Sequence, residues 1–141
     1  MTLSSNRQPS SHLDSSVFDS LGHQDFLIRI IHSFLRSSPA LLAALQAAVR
    51  SRDPKAVRQA AHSMKSSNSQ IGAKRLAAMC YELELLGALG QLLDADQLLA
   101  ELEVEYQHVE EELKVMLARL LSETASSAES VGSSLINSPR T

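Results

Sequence analysis

Apolar positions recur at three- and four-residue intervals through most of the chain, the period of helices packed on one side. Between residues 24 and 50, Phe26, Leu27, Ile30, Ile31, Phe34 and Leu35 form an apolar stripe that predicts a long helix. Pro39 falls inside this pattern, after Ser37-Ser38, and either kinks the helix or marks a turn. Asp53-Pro54 supplies an N-cap followed by proline at the first helical position, starting a helix that runs to about Gln70. Gly72 gives the break, Ala73 begins a helix through Leu86, and Gly87 and Gly90 bracket the next turn. Asp94 or Asp96 caps a final helix reaching Leu121, with Leu98, Leu102, Tyr106, Val109, Leu113 and Leu117 among its apolar positions. Upstream, Asp14 is an N-cap for a short helix ending near Gly22.

No stretch alternates convincingly like a strand. The expected fold is therefore all-α, an antiparallel four-helix bundle with a short additional N-terminal helix, over residues 13–121. Residues 1–12 and the Ser-rich 122–141 have the composition of disordered tails.

At 141 residues, with 44% hydrophobic positions and no Trp, the chain fits one domain with a modest core. The single cysteine, Cys80, excludes an internal disulfide, suits a reducing compartment and lies in an apolar pattern as a core residue. No apolar run approaches the roughly 20 residues of a membrane span, and the N-terminus lacks a secretory signal's order. A cytoplasmic monomer is expected, with no membrane partner. The initial methionine and the two polar tails lead us to expect a free-standing protein.

The net charge of −3 conceals a segregation. Residues 50–75 hold seven basic side chains against Asp53 alone, whereas residues 101–112 hold six glutamates and no Lys or Arg. The basic stretch would steer a partner with an acidic pocket. Nucleic acid is not expected, because the chain is acidic overall and lacks aromatic interleaving.

The candidate chemistry sits within the basic stretch. If Val57 marks the buried direction, Ala61, Met64, Asn68 and Ile71 also point inward at roughly 100° per residue. Arg58, His62, Lys65, Ser66 and Ser69 then share another side, exposing an imidazole with a cation one turn away and small hydroxyl residues around it. His62 lies ten residues before Gly72 and Glu84 twelve after it, so a hairpin bent at Gly72 brings the two nearly level. Glu84 can then accept from His62 Nδ1–H, fixing the tautomer and leaving Nε2 free as a nucleophile. Lys65 can neutralise a phosphoryl group on Nε2. Asn68 faces inward and needs a partner. Glu105-x-x-His108 is half of a di-metal bundle motif, but no other histidine has Glu three residues earlier, so no metal site is expected.

The run Ala61-His62-x-Met64-Lys65-Ser66-Ser67-x-x-x-Ile71-Gly72-Ala73, followed by Leu76, Cys80, Leu83 and Glu84, resembles the signature of histidine phosphotransfer (HPt) domains. The likeness covers roughly residues 14–121, with the specific motif confined to 61–84. It departs at Ser66, where many members have glycine, and at Glu84, where some have glutamine. The resemblance implies that His62 accepts a phosphoryl group from a receiver-domain aspartate, in a hybrid sensor kinase, and passes it to the aspartate of a response regulator. It implies a phosphocarrier rather than an enzyme. The five glycines form no phosphate loop, and no cofactor is expected on this chain. The Mg2+ and most of the transition-state stabilisation would come from the receiver. A docking patch of Arg58, Gln59, Ser66, Ser69 and Gly72 is expected around His62. The competing expectation is a non-phosphorylated helical adaptor that binds signalling proteins through the same basic face.

Overall fold

The computed structural model describes residues 12–14 and 24–137, with side chains described as far as residue 126. Four helices follow one another: α1 (Gln24–Arg50), α2 (Pro54–Gln70), α3 (Lys74–Leu89) and α4 (Ala95–Asn137). Each packs on two neighbours in the cyclic order α1, α2, α3, α4, which closes a bundle. Cross-helix pairs show the antiparallel sense, because rising residue numbers on one helix meet falling numbers on the next. Ser38 bonds Tyr106 and Gln46 bonds Glu103 between α1 and α4. The short helix expected over 14–22 lies, beyond Asp14, outside the described residues.

Ile31, Phe34, Leu45, Val49, Val57, Met64, Leu76, Leu83, Leu102, Val109 and Leu113 fill the core. Phe26, placed in the apolar stripe by its spacing, is exposed at the start of α1. Pro39 does not break α1, which runs through it. An interior proline costs about 3 kcal/mol, and the buried side chains on both sides of Pro39 offset that cost. By length and composition α1 qualifies as a candidate membrane span, contrary to the sequence expectation. Its Ile31, Phe34, Leu45 and Val49 are buried in the bundle core instead of forming an all-round apolar surface.

The hairpin α2–α3 positions the site. Asp53 caps α2 by accepting from Ala56 N–H at 3.3 Å, with Pro54 at the first helical position. At the other end Gly72 adopts φ 82°, a left-handed conformation that reverses the chain, and Ala73 N–H returns to Asn68 O at 2.9 Å. Asp14 ties the N-terminal side of the chain to this turn: its N–H donates to Gly72 O at 2.9 Å, and its carboxylate pairs with Lys74 at 2.7 Å.

Two helix ends differ from the sequence expectation. Gly87 belongs to α3, which continues to Leu89 and stops at left-handed Gly90 (φ 68°). A glycine inside α3 lets the backbone of α2 come close, and that packing outweighs its weak propensity. The last helix does not end at Leu121 but extends to Asn137, into the Ser-rich segment. Once a helix is nucleated, extension is cheap, and no proline follows before Pro139.

Candidate functional site

On α2 the inward positions are Val57, Ala61, Met64 and Asn68, all buried, which turns the intervening residues towards solvent. The His62 side chain is 60% exposed. Its Nδ1 lies 2.9 Å from Oε2 of Glu84, on α3. The other carboxylate oxygen, Oε1, lies 2.8 Å from Lys65 Nζ. One carboxylate thus joins the imidazole to the cation one turn further along the same helix.

The hydrogen bond from Lys65 holds the Glu84 carboxyl below its ordinary value; partial burial opposes this and the His62 contact adds to it. An ionised carboxylate only accepts, so the proton of the contact belongs to Nδ1 and the lone pair of the neutral ring is at Nε2. The ring is therefore oriented from behind, with its nucleophilic nitrogen directed away from the carboxylate.

Lys65 has a second contact that the sequence pattern did not single out. Its Nζ lies 5.0 Å from the centroid of the Tyr81 ring, within cation–π range. The signal was present: Tyr81 and Lys65 flank Gly72 at nearly equal separations, the relation that linked His62 with Glu84.

Beneath the exposed groups the hairpin is buried. Asn68, fully buried, donates from Nδ2 to Cys80 Sγ at 3.4 Å, while its Oδ1 has no hydrogen-bond partner among the described residues. Burial pushes the Cys80 thiol up to about 12, so it is neutral and unreactive at neutral pH. Gly87 brings the helices together below the site. A Cβ there would stand 2.7 Å from both Arg58 N and Pro54 O.

Arg58, Gln59, Ser66 and Ser69 are exposed on the His62 side of α2. Gly72 is buried in the turn, its carbonyl bonded to Asp14, which removes it from the expected docking patch. Of the remaining histidines, His12 is not an isolated surface residue. Its Nδ1 is 2.8 Å from the buried Glu105, and its ring stacks on His108 at 4.8 Å.

The profile of the Hpt domain family matches residues 29–123. Among solved structures, the chain is similar to histidine-containing phosphotransfer protein B (HptB) from Pseudomonas aeruginosa PAO1. That match has 34% sequence identity and a TM-score of 0.74, and it covers 78% of this chain and 97% of the other. No curated protein matches the chain.

Proposed function

The chain belongs to the Hpt domain family, and from that premise we propose that it is a phosphorelay intermediate, loaded on His62 by one receiver domain and discharged by another. The observation that carries this reading is the His62–Glu84 contact, which holds an exposed imidazole with Nε2 free.

In the forward step the Nε2 lone pair attacks the phosphorus of a receiver's aspartyl phosphate. The N–P bond forms as the P–O bond to aspartate breaks, and the carboxylate leaves. The Nδ1 proton stays in its hydrogen bond, so the phosphorylated ring carries a positive charge facing the Glu84 carboxylate. Lys65, on the same face, neutralises phosphoryl oxygens. The second transfer reverses these bond changes on another aspartate.

We assign the Mg2+ of both transfers to the receiver's acidic pocket. The chain itself acts as a carrier, and the glycines of the sequence form no nucleotide loop. Arg58, Gln59, Ser66 and Ser69 surround His62 as the docking patch, and the basic charge of residues 50–75 complements an acidic partner. The cytoplasm, where receivers reside, is the compartment this function requires.

The test mixes the full chain with a receiver carrying labelled phosphate. Label should move to the chain, be acid-labile and base-stable, and pass to a second receiver. Transfer that persists in His62→Gln overturns the assignment. Unchanged receiver binding in His62→Ala, without any label on the wild type, would favour the adaptor function instead.

A further inference from the structure

We propose that the face between α3 and α4 is a docking groove for a basic amphipathic helix of a partner protein, separate from phosphoryl transfer at His62. Leu85, Leu86 and Leu89 of α3 and Leu98 of α4 line a groove of about 480 Å³. Leu85 is 42% exposed and Leu89 64% exposed. Their spacing of four residues presents an apolar ridge of the kind that receives the apolar face of another helix.

The rim decides the occupant. It consists of Glu82, Asp94, Gln97 and Glu101, with no basic side chain. The two helices that form the groove carry no lysine or arginine from Leu76 to Leu113, and Arg52, which borders its Asp94 end, is paired with Asp96. An apolar floor inside an acidic frame complements leucine-type anchors flanked by Arg or Lys. An anionic bilayer would be repelled by the same rim.

A second copy of the chain fits poorly. In a two-fold pair this acidic rim would face the same acidic rim of the other copy, with no cation to offset Glu82, Asp94 and Glu101. In a head-to-tail contact the basic stretch 50–75 offers the groove no exposed large apolar side chain.

The groove and His62 lie on different sides of α3. Glu84 faces α2, and Leu85 follows it at about 100° around the helix axis. A partner seated between α3 and α4 therefore leaves His62 open, and can hold the chain in place while a receiver visits the imidazole.

The test uses the full-length chain and two synthetic helical peptides, each with leucines at three- and four-residue intervals. One has arginines on its other face, the other glutamates. The arginine peptide should shift amide resonances of residues 82–89 and 94–101. Its affinity should fall about tenfold in Leu89→Glu and in Glu101→Lys, both exposed positions, with phosphoryl transfer from His62 unchanged. Equal binding of the arginine peptide to Leu89→Glu would overturn the proposal, because charge alone would then account for it. Equal binding of the glutamate peptide would also overturn it. Sedimentation as a dimer that Leu89→Glu disperses would assign the groove to a second copy.

Discussion

Gly87 and Arg58 meet backbone to backbone: a Cβ on Gly87 would stand 2.7 Å from Arg58 N and 3.0 Å from Arg58 Cα. The contact lies one turn from the Glu84–His62 pair on both helices, so it helps set the gap that Glu84 spans. Gly87→Ala would gain about 1 kcal/mol of helix propensity. Forcing the helices apart in a packed hairpin costs about 1–3 kcal/mol. The obstacle is backbone, which cannot turn aside like a flexible side chain. A lower melting temperature and a weaker His62–Glu84 hydrogen bond by NMR are expected. A raised melting temperature would show that propensity wins.

Glu84→Ala removes both the acceptor behind His62 and the partner of Lys65. Hydrogen bonds to charged groups are worth about 1.5–3 kcal/mol, so transfer should slow roughly 10- to 100-fold. Glu84→Gln keeps a carbonyl oxygen for Nδ1–H, and its loss should be smaller, about fivefold. Single-turnover transfer from a labelled receiver measures both. Equal rates for Ala and Gln would contradict the orienting role of the acceptor.

Tyr81 faces Lys65 with its ring, so the ring rather than the hydroxyl should matter. Tyr81→Phe is expected to transfer like the wild type. Tyr81→Leu should lose about 0.5–1 kcal/mol of cation–π attraction, a two- to fivefold slowing. Double variants with Lys65→Met isolate the coupling, which should vanish when the ammonium is absent.

The Glu84 carboxyl, held low chiefly by Lys65, ties the site to pH. A folded-state value below the unfolded one contributes stability that is fully present above the unfolded value. That contribution is lost as pH falls through the lower, folded value. The carboxylate bridge should therefore persist below the ordinary 4.5 and disappear only on further acidification. A carboxyl NMR titration should place the wild-type midpoint below 4.5, with Lys65→Met moving it upward. A wild-type midpoint above 4.5 would contradict the ion pair.

Much of the site was legible because its geometry is local. His62 and Lys65 are one turn apart on a single helix, and Asp53-Pro54 and Gly72 mark its ends by backbone chemistry that needs no distant partner. Glu84 was legible for a related reason: one glycine turn fixes the register of two antiparallel helices. The same register pairs Tyr81 with Lys65, although the hydrophobic pattern, which records burial, carried no mark of a ring set beside an ammonium.

The remaining features depended on balances between distant segments. Pro39 could end a helix or be carried within one, and packing on both of its sides settled that contest. Gly87 and Gly90 are the same residue in similar sequence, each preceded and followed within two positions by leucine. The approach of α2 made the first a helix contact, while the second ends α3 in the left-handed conformation. His12 meets Glu105 across 93 residues of sequence, a pairing no periodicity encodes. The sequence alone determined the helices, the inward and outward faces of α2, and the histidine set among basic neighbours. Those follow from a 3.6-residue period and from local capping. Tertiary structure decided how closely the helices approach and which surfaces stay open, because these depend on side-chain volumes and charges that meet only when the bundle closes.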